Sequence, residues 1–292
     1  MQQDTDLSKL DQERVRQIKA ECKAEKERGA AEELDISNAL GEKGRRLLKC
    51  AQEKGASSWL SVLPLKRLGY AVNKQEFRDS LCLRYGWNIP DLPAYCVCGT
   101  KNSVEHVMIC GRGGYVIMRH NALRDTEAKI MTEVCSDVQL EPMLLPTTHD
   151  QVTGTAAAQA RCDISARGVW SRYEKTFFDI EISHPTANSH MQKPLSALYT
   201  ENEKRKKRKY LDRVRNVERA SFTPLVFNTT GGMSPECSRT NRRLAELLAQ
   251  KRNETYSNVM SHIRTRLRFA LLRATVVAVR GYRGKKVCCH RR

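Results

Sequence analysis

Two short stretches decide how this chain folds: Arg161-Cys162-Asp163-Ile164, and Phe177-Phe178-Asp179-Ile180-Glu181-Ile182. Both predict short β-strands. Each strand places a carboxylate among apolar or β-branched neighbours, where an unpaired charge is costly to bury. Alternation along the second strand puts Glu181 on the same face as Asp179. The two strands therefore mark the part of the predicted sheet where chemistry is expected.

The three acidic residues are candidates for a catalytic metal site. Asp163 and Asp179 on adjacent strands could hold a hard divalent cation, Mg²⁺ or Mn²⁺, with Glu181 beside them. Such a metal lowers the pKa of a bound water and neutralises charge that develops on a phosphate. Glu127, on the helix before the strands, is a further candidate for a metal or water contact. The alternative is that the carboxylates form ordinary salt bridges, with partners among Arg161, Arg167 and His184.

A run of basic residues follows the second strand and predicts a long helix over residues 195–219. This helix could present a nucleic-acid surface, a solvated face or a nuclear-localisation patch. Its position directly after the acidic strands favours nucleic acid. The candidate binding residues are Lys204, Lys206, Lys207, Lys209 and Arg213.

The composition favours a polyanionic partner. Among 292 residues, Lys and Arg number 51 and Asp and Glu number 33, which gives a formal net charge of +18. DNA is the favoured partner, and the segment after Glu254 is free of acidic residues and is expected to contribute to binding. No apolar run is long enough to span a bilayer, so no membrane partner is expected. The polar N-terminus resembles no secretory signal, which predicts a nuclear or cytoplasmic protein that is not secreted.

Four metal-ligand residues lie within a short segment: Cys96 and Cys98, then His106 and Cys110. In a reducing compartment, clustered cysteines indicate metal ligands rather than disulfides. Zinc requires four such ligands in a tetrahedron, and Gly99 allows the backbone to turn tightly after the second cysteine. The alternative is a set of buried thiols with an incidental histidine.

The order of predicted elements indicates an α+β (α/β) layer architecture. A helix over 119–134 precedes strands near 138–141, 161–167 and 176–183; the basic helix and a strand over 222–227 follow. The predicted organisation is a charged helical or partly disordered extension, a helical region with a linker, a zinc knuckle, the core, and basic C-terminal helices with a tail. The corresponding ranges are 1–55, 56–95, 96–118, 119–232 and 233–292.

Several motifs resemble the C-terminal region of non-LTR retrotransposon proteins. These are the Cys-x-Cys…His…Cys knuckle, the Arg-x-Asp strand, the Phe-Asp-x-x strand and the Lys-Lys-x-x-Tyr helix. Four further stretches look like mobile-element proteins of invertebrates, and the resemblance covers roughly residues 56–283. Those stretches are 59–65, 113–115, 119–121 and 223–227.

The resemblance implies a zinc knuckle followed by a restriction-like endonuclease core of the PD-(D/E)xK type, ordered helix-strand-strand-strand-helix-strand. It implies that Asp163 and Asp179 bind the catalytic metal. It also implies that the catalytic lysine comes from the following helix, where Lys207 lies three residues before Tyr210. Glu181 stands where the pattern usually has that lysine.

Three functions remain open on the sequence. The first is a metal-dependent DNA endonuclease derived from a mobile element. The second is a catalytically inactive nucleic-acid-binding zinc-knuckle protein from a degraded retroelement. The third is a basic structural or interaction protein.

Overall fold

A computed structural model describes residues 2–146 and 160–281 of the chain, with side chains from residue 13 onward. The predicted C-terminal tail, from residue 282, lies outside these ranges. Between them, the described segments contain nine α-helices and a four-stranded sheet. The mixed α and β class predicted from the sequence is confirmed.

The sheet is mixed, in the order β1-β2-β3-β4. Its strands are β1 Ser136–Leu140, β2 Ile164–Arg167, β3 Lys175–Ser183 and β4 Ser221–Asn228. The first two pairings are antiparallel, whereas β3 and β4 run parallel. Because β4 lies at an edge of this sheet, it tolerates Pro224, which has no N–H to donate. Strand β2 begins later than predicted, since Arg161 forms only an isolated bridge with Met143.

Helices precede, interrupt and follow the sheet. They are α1 Gln2–Ala39, α2 Glu42–Gln52, α3 Ser58–Ser61, α4 Lys74–Tyr85, α5 Val104–Ile109, α6 Tyr115–Thr132, α7 Leu195–Asn216, α8 Pro235–Arg252 and α9 Tyr256–Arg280. Among the described residues from α6 to β4, which exclude 147–159, the order is helix, three strands, helix, strand, in agreement with the prediction. The basic helix and both C-terminal helices also lie where the sequence placed them.

Side-chain alternation along β3 decides which groups meet on each face of the sheet. Phe178 and Ile180 belong to the main core, which contains residues of α6, α8 and α9. Phe177 belongs to a second cluster, on the other face, together with Tyr210 of α7. Asp179 has the same parity as Phe177, so its carboxylate points toward the basic helix rather than into the main core.

Helix α2 falls inside the predicted charged extension, yet it packs against the body of the protein. The buried guanidinium of Arg46 donates to the carbonyl oxygens of Pro185, His190 and Lys193, at 3.1, 3.2 and 2.6 Å. From residue 13 onward, by contrast, the side chains of α1 are almost all exposed. The exposed extension therefore ends near residue 40.

Helix α9 is a core helix, although the absence of acidic residues after Glu254 predicted a nucleic-acid surface there. Its apolar side is buried in the main core. Several of its arginines bond within the chain: Arg280 to the carboxylate of Asp79, and Arg273 to the carbonyl of Ala71. A segment that contains many arginines and no acidic residues can therefore be structural, because the groups that its arginines bond lie in distant parts of the sequence.

Glu127 of α6 is fully buried, and the metal or water contact at this residue stays a prediction. Its Oε1 accepts a hydrogen bond from Asn241 Nδ2 of α8 at 2.9 Å. Burial raises the pKa of the carboxyl to about 7, although the hydrogen bond from Asn241 and the charge of Arg266 oppose the rise. The charged form of this carboxylate is therefore disfavoured in the folded protein.

Replacement of Glu127 by Gln should make the protein less sensitive to alkaline pH. The pKa of Glu127 is higher in the folded state than in the unfolded state, so the parent becomes less stable as the pH rises from the unfolded-state pKa through the folded-state pKa. The total loss in the free energy of unfolding is about 3 kcal/mol. Gln keeps an oxygen for Asn241 and has no charge to bury. Urea unfolding measured at pH 5 and pH 8 should show that the free energy of unfolding of the variant, relative to that of the parent, is higher at pH 8 than at pH 5. Glu32→Gln, on exposed α1, is the control. A change in stability of Glu127→Gln that is the same at both pH values would contradict the raised pKa of Glu127.

Candidate metal and nucleic-acid sites

The four predicted zinc ligands converge. The ligand atoms of Cys96, Cys98, His106 and Cys110 all lie within 4.8 Å of one another. The Cys96 and Cys110 sulfurs are 3.9 Å apart, and Cys98 Sγ lies 3.2 Å from His106 Nε2. A tetrahedron with ordinary zinc bond lengths separates two sulfurs by about 3.8 Å, and sulfur from nitrogen by about 3.6 Å. The group could therefore hold a metal ion of the size of zinc.

Local backbone geometry brings these ligands together. Gly99 adopts a φ of +85° and donates its N–H to the carbonyl of Cys96 at 2.8 Å, which closes the turn between the two cysteines. Helix α5 then begins at Ser103, whose hydroxyl accepts from the backbone N–H of His106 at 3.1 Å. Cys110 follows the last turn of this helix. The spacing in the sequence reflects one turn and one short helix.

The exposed thiol of Cys98 has a lowered pKa, which favours the thiolate that binds metal. Hydrogen bonds from Thr100, first from its side chain and then from its backbone, lower the pKa of Cys98 to about 6. Burial instead raises the pKa of Cys110. Because the thiolate is the form that binds metal, Cys98 is already prepared as a ligand at neutral pH.

The purified protein should contain zinc in a near-stoichiometric amount. Cys98→Ser should lower the zinc content strongly, since a hydroxyl is a poor ligand for zinc beside thiolates. Metal analysis by mass spectrometry checks this, with Cys22→Ser as the matched control, because Cys22 is exposed on α1. Zinc that is absent from the parent, or unchanged in Cys98→Ser, would contradict the assignment.

Asp163 lies at the start of β2 and is tied to two other elements. Its Oδ2 accepts the backbone N–H of Ile180 at 2.5 Å, in β3. The same oxygen lies 3.1 Å from Nε2 of His120, on α6. Asp163 is thereby held beside the stretch of β3 that carries Asp179.

Asp179 is almost fully buried, and the side chains around it come from α7. The amine of Lys206 contacts its Oδ2 and lies 3.8 Å from Oε2 of Glu181. Arg205 forms an ion pair with Glu181. The Tyr210 hydroxyl hydrogen-bonds Asp179. The two carboxylates of β3 therefore share cations from the middle of the basic helix.

Charge and burial compete at this acidic site. Burial raises the pKa of Asp179; the charge of Lys206 opposes the rise, and the negative charge of Asp163 adds to it. Burial alone would lower the pKa of His120, but its hydrogen bond to Asp163 and the charge of that carboxylate raise it. The site combines partly desolvated carboxylates with cations that balance them, an arrangement common where pKa values are tuned for function.

The salt bridges considered from the sequence are not the ones formed. Arg161 pairs with Glu141, and Arg167 with Asp137. The ring nitrogens of His184 bond the hydroxyls of Thr229 and Thr186 instead. The partners of Asp163 and Asp179 are His120 and Lys206.

The amine that reaches the acidic site belongs to Lys206, so the placement predicted for Lys207 is wrong. The amine of Lys207 lies 2.5 Å from Oε1 of Glu236, in the first turn of α8. Lys206 precedes Tyr210 by four residues and Lys207 precedes it by three, so both lysines lie on the side of the helix that carries the buried Tyr210. The spacing in the sequence therefore does not separate the two lysines.

The other predicted nucleic-acid contacts divide into two groups. Lys204 and Lys209 are exposed, and the amine of Lys209 lies 4.6 Å from the centre of the Tyr210 ring. Arg213, however, donates to the carbonyl oxygens of Leu144 and Leu145 at 3.2 and 2.9 Å. These hydrogen bonds connect the segment that follows β1 to helix α7. Arg208, absent from the predicted set, is exposed between the lysines.

The sequence matches no protein-family model and no curated protein. Within residues 2–146 and 160–281, every helix is too short or too polar to cross a membrane.

Proposed function

We propose that this protein is a mobile-element-derived DNA endonuclease that hydrolyses phosphodiester bonds with a divalent metal. The observation that carries the proposal is that the Asp163 carboxylate, which accepts the N–H of Ile180, is near enough to raise the pKa of Asp179, and that Asp179 contacts the amine of Lys206. Two carboxylates beside the two interior strands of the sheet, with a lysine from the next helix, are the chemistry that the motifs imply. The order of elements from α6 to β4 supports a restriction-endonuclease-like core around them.

The donor set fits a hard cation. Asp163 and Asp179 would hold Mg²⁺ or Mn²⁺, with Glu181 flanking, because these metals prefer carboxylate oxygens. Two of these oxygens, Asp179 Oδ2 and Glu181 Oε2, are buried and share Lys206 as a cationic neighbour. When bound, the metal would lower the pKa of a water and neutralise charge on the phosphate.

The remaining side chains would bind and orient the substrate. Lys206 can turn its amine from Asp179 toward a phosphate oxygen and stabilise charge that develops there. His120 holds the carboxylate of Asp163 in place. The exposed cations of α7, Lys204, Arg208 and Lys209, would contact backbone phosphates beside the one that is cleaved.

Loss of either aspartate should reduce Mg²⁺-dependent nicking of supercoiled plasmid by at least about 10²-fold, since metal activation supplies several kcal/mol. Asp163→Asn and Asp179→Asn test this with little change in shape. Lys206→Ala should reduce nicking more than Lys207→Ala, because only Lys206 contacts Asp179. Lys129→Ala is the matched control, a loss of one exposed lysine on α6.

The same experiment separates the alternatives. Equal nicking by the parent and both aspartate variants would reject this site. An inactive parent that binds DNA with a strong salt dependence would favour the nucleic-acid-binding protein without catalysis. The contact between Lys206 and Asp179 favours that second candidate, because the amine already neutralises a carboxylate that a metal would use. A parent with neither activity would fit the basic structural protein.

A further inference from the structure

A cavity of about 510 Å³ lies between the zinc cluster, helices α2, α4 and α9, and the loops that follow β3 and β4. Its size falls within the range of small-molecule sites, which is roughly 300–1,000 Å³. None of the residues that line it belongs to the acidic site on α7 and β3. The nuclease proposal therefore leaves this cavity without a role.

The lining of the cavity has an excess of positive charge. It includes Lys43, Arg84, Lys101 and Arg268 but one acidic residue, Glu105. Lys43 pairs with Glu105 at 2.5 Å, which accounts for that carboxylate. Among the residues that the structure describes, Arg84 and Arg268 have no carboxylate within salt-bridge distance.

The positive charges of the two arginines repel each other. Arg84 donates to Ser57 Oγ at 2.7 Å, whereas its buried Nε has no protein partner. Arg268 donates through Nε to the carbonyl of Ala56 at 3.0 Å. Burial and the charge of Arg84 lower the pKa of Arg268 to about 9. An anion between the guanidinium groups would relieve this repulsion and satisfy donors that face the cavity.

Exposed aromatic rings line the same cavity. The side chains of Trp87 and Tyr95 are 58% and 69% exposed, which is unusual for rings of this size. Tyr85 stacks on Trp87 with ring centres 4.8 Å apart, which fixes the plane of the indole. Leu92 and Met108 add apolar surface. A ligand for this site therefore has both an anionic group and a flat ring.

We propose that this cavity binds one nucleotide unit of single-stranded nucleic acid, with its phosphate between Arg84 and Arg268 and its base against Trp87. Base stacking on an aromatic ring beside arginines is a common way to bind single strands. A base inside a duplex is stacked on its neighbours and is not available to Trp87. The proposal does not require that the acidic site cleaves DNA.

The test is the affinity of the full-length protein for a fluorescent oligothymidylate of about ten nucleotides, measured without added Mg²⁺. Arg84→Gln and Arg268→Gln should each weaken binding at least about tenfold and lower the log–log salt slope by about 0.7. Trp87→Ala should weaken binding about tenfold with no change in slope, and Trp87→Phe should restore most of it. Arg67→Gln, an exposed arginine outside the cavity, is the matched control.

Equal affinities in the parent and both cavity arginine variants would overturn the proposal, provided that zinc content and circular dichroism confirm folding. A loss as large in Arg67→Gln would also overturn it, because the effect would then be one of total charge. Free thymidine monophosphate that binds as tightly as the strand would assign the cavity to free nucleotides. Since nicking is not measured, failure here leaves the nuclease proposal intact, and the reverse also holds.

Discussion

The ion pair between Asp179 and Lys206 is the contact around which the centre of the molecule is arranged. A carboxylate in the middle of β3 is almost fully removed from water, and its charge must be balanced. The side of α7 that carries Lys206 and Tyr210 supplies a cation and a hydroxyl directly above it. The same contact fixes the rotation of α7, because a helix that presents Lys206 to the sheet also presents Tyr210 and Val214 to the second apolar cluster.

The remaining positive charge of the protein is divided between structure and surface. The arginines of α9 hold distant segments of the chain, as Arg280 does with the buried Asp79. The cations of α7 at Lys204, Arg208 and Lys209 are exposed and stand beside the acidic site. Arg84 and Arg268 line the cavity, and no carboxylate of the described segments lies within salt-bridge distance of either. The net charge of +18 therefore combines three groups of cations, and the proposals assign two of them to a phosphate-bearing partner.

Local pattern was sufficient to predict much of this arrangement. The spacing of Cys96, Cys98, His106 and Cys110 indicated one site because a single turn and one short helix connect them. Alternation in β3 placed Asp179 and Glu181 on one face. Long-range contacts were not predictable in this way. A lysine run is uniform in composition, so the choice between Lys206 and Lys207 depends on how Tyr210 packs. His120 meets Asp163 only through the docking of α6, and the cavity is assembled from segments that are far apart in the sequence.

In the proposed function, Asp163 and Asp179 form a divalent-metal site, and the amine of Lys206 contacts Asp179 when no metal is bound. The most direct measurement is a crystal structure of the protein soaked with Mn²⁺, with anomalous scattering recorded to locate the metal. If the two aspartates form that site, an anomalous peak lies at about 2.1 Å from carboxylate oxygens of both Asp163 and Asp179, and the amine of Lys206 has moved off Asp179. A structure without a peak at these oxygens, in which Lys206 still contacts Asp179, would contradict the proposed site.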